Sequence, residues 1–197
     1  MSQNGESSGA PPTHRPLDGR GVPEPGKPFL FTPGESLGAE DSISAVFRLP
    51  TGFIGPEDNV AILPVLPSDP DPVLEGRVGP TRTLEKRPYG RVIAPRKRSN
   101  LATIELQANG KAPEPILDLL HQDGIRTPPR WRARRRRLAS PRRVTWLTLP
   151  LDTPPGVVLA FICDALAALT PDAARDRFLL VRSRFGGIGG VALGGRD

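Results

Sequence analysis

The residues best equipped for chemistry in this sequence are arginines. Arg130, Arg132, Arg134, Arg135, Arg136, Arg137, Arg142 and Arg143 fall within fourteen consecutive positions that hold no carboxylate and no lysine. Acidic neighbours at helical spacing therefore cannot neutralise them. A guanidinium is planar, permanently charged and weakly hydrated, and its fork of donors matches the oxygens of a phosphate. The tract thus predicts a polyanionic partner, with RNA or DNA the first candidate, and single-stranded RNA above all if a tryptophan stacks on its bases. Trp131, and Trp146 where it is exposed, would add rings on which unpaired bases can stack. Fully extended, the tract spans about 45 to 50 Å, enough to follow several phosphates. If six to eight arginines each neutralise one phosphate, affinity should fall on the order of a thousandfold or more between about 50 and 200 mM salt.

The same cluster is what nuclear import receptors read when it is exposed, and an acidic protein could also dock on it. The competing assignment is a bacterial or phage structural or interaction protein in which the tract binds DNA or an acidic partner.

Other reactive side chains are sparse. His14 sits in a Pro/Gly-rich stretch, and His121 falls at the end of a short predicted helix beside Gln122 and Asp123. Neither has the neighbours of a general base. Cys163, the single cysteine, lies on an apolar segment between Ile162 and Asp164 and is expected to be a buried structural thiol. No metal-ligand spacing is present. The glycines from Gly186 to Gly195 lack the strand-and-spacing context of a dinucleotide fingerprint and the Lys-Ser/Thr of a phosphate loop. The expectation is a protein that is not an enzyme and needs no cofactor and no metal.

What must position the tract is a chain short of core-forming residues. Proline (25) and glycine (21) are abundant and aromatic residues make only 5%, so a large core is not expected. The net charge of +6 is unevenly placed: residues 91–143 carry 14 Lys/Arg against 4 Asp/Glu, whereas residues 1–90 carry 8 against 12. A basic segment between an acidic leader and a neutral tail fits nucleic-acid binding better than a uniformly basic surface does. Met1–Glu6 has no basic and apolar signal pattern, and Gly156–Leu169 is too short to span a bilayer. The chain is expected to be soluble, reduced and intracellular.

Along the chain, residues 1–41 predict a disordered leader in which Phe29 and Phe31 form the one apolar cluster. Residues 42–66 suggest a β-hairpin, with strands at Ser42–Leu49 and Asn59–Leu66, the second demoted to an edge by Pro64. Residues 67–100 suggest a Pro-rich linker. Residues 101–185 predict a small α+β domain that carries the arginine segment 130–143. Within it, Leu101–Gln107 and Val144–Leu149 alternate like strands, and Glu114–His121 is a short helix stopped at Gly124. A second helix starts at Pro154-Pro155, capped by Asp152 or Thr153, with Val158, Ile162, Ala165, Leu166 and Leu169 as its apolar stripe. Arg177–Arg184 fits a helix or a buried strand. Residues 186–197 form a flexible Gly-rich tail. The expected fold class is α+β: a small C-terminal β-α-β or β-α-α unit behind a largely disordered Pro/Gly-rich N-terminal region.

The order of a Pro-rich N-terminal half, a central Arg-rich segment at Arg130–Arg143 and a hydrophobic, Leu-containing segment at Val144–Leu169 resembles the long-distance RNA movement proteins of umbraviruses, which infect plants. The resemblance covers about forty residues. It implies that Arg132, Arg134, Arg135, Arg136, Arg137, Arg142 and Arg143 serve RNA binding and nuclear or nucleolar import, and that Leu147, Leu149, Leu151 and Leu159 form an export element. It also implies self-association on viral RNA into protective ribonucleoprotein particles, contact with fibrillarin, and shuttling between host nucleus and cytoplasm. Pro150, Pro154 and Pro155 interrupt the leucine run, and apolar periodicity of this kind more often marks packing than a signal.

Overall fold

The computed structural model describes residues 28–34, 37–48, 59–69, 87–95, 99–110, 112–134 and 140–183. Among these residues, seven strands and three helices follow one another as β1 (Pro28–Phe31), α1 (Leu37–Phe47), β2 (Asn59–Pro64), β3 (Tyr89–Ile93), β4 (Leu101–Gln107), α2 (Ile116–Gln122), β5 (Arg132–Arg134), β6 (Val144–Pro150), α3 (Pro155–Leu169) and β7 (Phe178–Ser183). The strands make one sheet in the order β1-β7-β2-β3-β4-β6-β5, and every neighbouring pair is antiparallel. The fold is mixed α+β.

Alternation along the strands separates two faces. Phe29, Phe31, Val60, Ile62, Val92, Ile104, Leu106, Leu147, Leu149, Phe178 and Leu180 share one core with residues of the three helices. The other face carries a small apolar cluster, Ala61, Leu63, Leu179 and Val181, on β2 and β7. It turns polar on β3, β4, β6 and β5.

Three expectations are corrected. Ser42–Leu49 is not a hairpin strand: Leu37–Phe47 is helical and buries Ala39, Ser42, Ile43, Val46 and Phe47, a 3-and-4 spacing that shows once the window reaches back to Ala39. The buried Ser42 hydroxyl is satisfied one turn back, by the Gly38 carbonyl at 2.8 Å. Second, the packed unit does not start at residue 101. β1 lies within the expected leader and β3 within the expected linker, yet both pair into the same sheet. Third, β2 is no edge. It runs between β7 and β3, and Pro64 is its last residue, beyond the stretch that β3 covers. The hairpin turn at residues 50–56, residues 1–27 of the leader and the 186–197 tail lie outside the described residues.

The predicted segments of the C-terminal half fall close to their positions. α2 ends as Gly124 implied: Gly124 has φ +81°, its N–H donates to His121 O at 3.1 Å, and Ile125 N–H donates to Leu120 O at 2.8 Å. α3 begins at Pro155 without a side-chain cap. Thr153 instead donates its hydroxyl to Pro150 O at 2.7 Å, and Asp152 pairs with Arg130. Within Arg177–Arg184, Phe178–Ser183 is strand β7, and Phe178, Leu179, Leu180 and Val181 are buried between β1 and β2. β6 and β7, on either side of α3 in sequence, are separated in the sheet by β4, β3 and β2. A bidentate buried pair, Arg87 to Asp69 at 2.6 and 2.8 Å, joins the chain just after β2 to the residue that leads into β3.

Candidate nucleic-acid interface

The arginine tract folds back on itself and is not an extended tape. Its first limb is β5, the outermost strand on its side of the sheet, and its second limb is the turn at 141–143 that leads into β6. The register places Arg132 opposite Thr148, Ala133 opposite Leu147 and Arg134 opposite Trp146. Leu147 belongs to the helix-side core, so Ala133 faces the helices while Arg132 and Arg134 project from the opposite face, which is helix-free among the described residues. All three β5 residues are exposed, as are Arg130, Arg142 and Arg143. Arg135, Arg136 and Arg137 lie outside the described residues.

The second limb is clamped through its backbone. Ala108 N–H donates to Arg143 O at 2.9 Å, Ala112 N–H to Arg142 O at 2.7 Å, and Ile116 N–H to Pro141 O at 3.0 Å. Arg142 and Arg143 thus hold their main chain against the end of β4 and the start of α2 while their side chains stay in solvent. On the first limb, Arg130 pairs with Asp152 at 2.9 Å, a contact exposed on both sides and worth little in water. Arg132 donates to Pro129 O at 2.9 Å and Trp131 O at 3.2 Å. Arg134, Arg142 and Arg143 make no ion pair among the described residues.

Trp131 does not present a stacking surface. It is 4% exposed and packs edge-on against Phe161 of α3, with ring centroids 5.0 Å apart. The parity that turns Arg132 and Arg134 outward turns Trp131 and Ala133 toward the core. The export element that the resemblance implied is corrected in favour of packing, the alternative that apolar periodicity already favoured. Leu147, Leu149 and Leu159 are buried in the core and Leu151 is half-buried against it, so a receptor could reach them only after unfolding.

The sequence gives no direct sign of the polar row that backs the arginines. Cross-strand register lines up Arg134, Trp146, Glu105 and Arg91 on the helix-free face. Glu105 is the hub. It accepts from Arg91 Nη2 at 2.9 Å, Trp146 Nε1 at 3.0 Å and the Tyr89 hydroxyl at 2.8 Å. Burial alone would raise its pKa, but the Arg91 charge and these hydrogen bonds prevail and hold it below the usual 4.5. Burial, then the Glu105 charge, pushes the Tyr89 phenol upward. Alternation in Tyr89–Ile93 is the one available clue to β3; the pairing that assembles the row needs the register. Beside the row lies a cavity of about 210 Å³ lined by Ile93, Leu101, Thr103, Arg134, Trp146 and Thr148, among others.

The residues weighed for catalysis lie apart from this face. Cys163 is buried in the core, where desolvation and then the Asp164 charge push its thiol pKa up and keep it protonated. His121 is exposed on α2, and His14 lies outside the described residues. Among the described residues no three metal-ligating side chains cluster, and no helix is long and apolar enough to cross a membrane. Compared with known proteins, the chain matches no family model, no curated protein and no solved structure.

Proposed function

We propose that this chain is a non-enzymatic RNA-binding protein whose contact surface is the arginine hairpin at the β5 edge of the sheet. The observation that carries the reading is the display of Arg132, Arg134, Arg142 and Arg143 in solvent on paired or clamped backbone, with no carboxylate bonded to them among the described residues. Cations held this way lose little backbone entropy on meeting a phosphate chain. Protection and long-distance movement of viral RNA in self-associated particles, with nuclear import through the same arginines, is the setting proposed from the sequence arrangement.

The test is the salt dependence of binding to labelled single-stranded RNA, followed by fluorescence anisotropy. Replacing Arg132, Arg134, Arg142 and Arg143 together by Ala should flatten the log–log slope by about 3 units, at about 0.7 per lost contact. All four side chains are exposed, so circular dichroism should show an unchanged fold. Unchanged affinity and slope in a folded variant would remove the proposal. Duplex DNA that outcompetes RNA would move it to the DNA-binding alternative.

A further inference from the structure

We infer that Ser140 is a phosphorylation site, and that its phosphate withdraws Arg142 and Arg143 from RNA by pairing with them. The inference rests on the RNA-binding reading and adds regulation to it. Serine or threonine stands directly before proline at Thr32, Thr127, Ser140, Thr153 and Thr170. Only two of these have a basic residue three positions on, the order that proline-directed kinases read: Thr127-Pro128-Pro129-Arg130 and Ser140-Pro141-Arg142-Arg143. They stand at the two ends of the arginine tract. Ser140 is partly exposed and the three residues after it are exposed, so an enzyme can reach the hydroxyl on the folded protein.

The turn sets this hydroxyl among the charges. Arg143 N–H donates to Ser140 O at 2.9 Å and Val144 N–H donates to the same oxygen at 3.0 Å. Such a closure keeps the Cα atoms of residues 140 and 143 within about 7 Å, a gap that a phosphoserine and an arginine side chain together span. The carbonyls of Pro141, Arg142 and Arg143 are clamped to the end of β4 and the start of α2, so the pairing needs no movement of the main chain. Neither Arg142 nor Arg143 has an ion-pair partner among the described residues, whereas Arg130, three positions after Thr127, is already paired with Asp152. In the modifying step the Ser140 Oγ attacks the γ-phosphorus of a nucleoside triphosphate. The Oγ–P bond forms, the bond to the bridging oxygen breaks, the nucleoside diphosphate leaves and the hydroxyl proton passes to the kinase's base. The product carries about −1.5 to −2 charges near neutral pH and three acceptor oxygens. Tethered beside two guanidinium groups, it makes the charge-assisted bonds that they otherwise offer to RNA.

The test starts from the full chain with Thr127→Ala, which leaves Ser140 as the one complete match. Treated with a cyclin-dependent kinase, magnesium and ATP, it should take up phosphate at Ser140, located by mass spectrometry, and adding Ser140→Ala should abolish that uptake. A kinase that modifies a free Ser-Pro-Arg-Arg peptide but not Ser140 of the folded protein would overturn the inference. The phosphorylated protein should bind labelled single-stranded RNA about tenfold more weakly at about 150 mM salt, with a log–log slope flatter by about 1.4 units, two contacts at about 0.7 each. Phosphorus-31 NMR reads the pairing without RNA. The second phosphate pKa, about 6 in a free phosphoserine, should be lowered in the folded protein and return toward about 6 when Arg142 and Arg143 are both replaced by Ala. A pKa indifferent to those two substitutions would overturn the pairing. Equal RNA affinity of the two forms would overturn the switch and leave the RNA-binding reading standing. Binding of RNA by neither form would bring down the RNA-binding reading, and the switch with it.

Discussion

Glu105 shows how a single side chain organises the helix-free face. One buried carboxylate satisfies an arginine, an indole and a phenol drawn from both neighbouring strands. Burial opposes its charge, yet the Arg91 charge and the donors leave its pKa below 4.5 in the folded state. A depressed carboxylate stabilises the fold in full above its unfolded pKa, and that contribution fades as pH falls through the folded value. Urea denaturation should therefore show a gap between the parent and Glu105→Gln that is largest near about pH 7 and shrinks below about pH 4. A gap that stays constant down to about pH 3 would show that ionisation of Glu105 adds nothing to stability. The arginines were legible at this scale because charge and exposure are properties of residue type and density. Trp131 was not, because which way a tryptophan points depends on strand parity and on what lies beneath.

At the scale of elements, β3 and α3 approach closely at Gly90. Gly90 leaves no room for a side chain: an added Cβ would collide with Ile162 Cγ2 and crowd Leu106 Cδ2 at 3.3 Å. This contact presses the long C-terminal helix onto the sheet behind the polar row. Gly90→Ala should cost about 1–3 kcal/mol by overpacking. Ile162→Ala, which removes the colliding atom, should make the second substitution cheaper, with a coupling of about 0.5–3 kcal/mol in a double-mutant cycle. Strictly additive losses in urea denaturation would mean that helix and strand relax apart without strain. The α1 segment carries a different lesson. Ile43, Ala45 and Phe47 alternate like a strand, whereas Ala39, Ser42, Ile43, Val46 and Phe47 form the buried side of a helix. A short window holds both periods, and packing against α3 and β2 decides between them.

For the molecule as a whole, β7 is the closing piece. It comes last among the described elements yet inserts between β1 and β2, two of the earliest, and it buries Phe178, Leu179, Leu180 and Val181. The sheet therefore depends on contacts between the two ends of the described chain, a topology that folds slowly because long loops must close first. A chain ended at Leu169 would leave the backbone edges of β1 and β2 unpaired and half of the apolar cluster on the helix-free face missing. That truncation should abolish the cooperative urea transition seen by circular dichroism. A sigmoidal transition with the full-length denaturant slope would show that the other six strands suffice. The arginine hairpin lies at the opposite edge, so the closing of the fold and the proposed contact with RNA occupy different ends of one sheet.

By itself the sequence determined the charge map, the α+β class and most of the C-terminal elements: β4, α2, β6 and α3 have local periods and stop signals that no distant contact overrides. Gly124 terminates α2 because a residue at φ +81° there favours glycine wherever the helix packs. Tertiary structure alone decided that β1 and β3 belong to the sheet and that β2 is central. Strand membership at these places depends on a partner strand many residues away, and four or five residues hold too little pattern to announce one. The same long-range register turned a run of arginines into a hairpin and set Arg134 across from Trp146. Residue type put the charge in the chain; pairing between distant strands put a fixed indole and a cavity beside it.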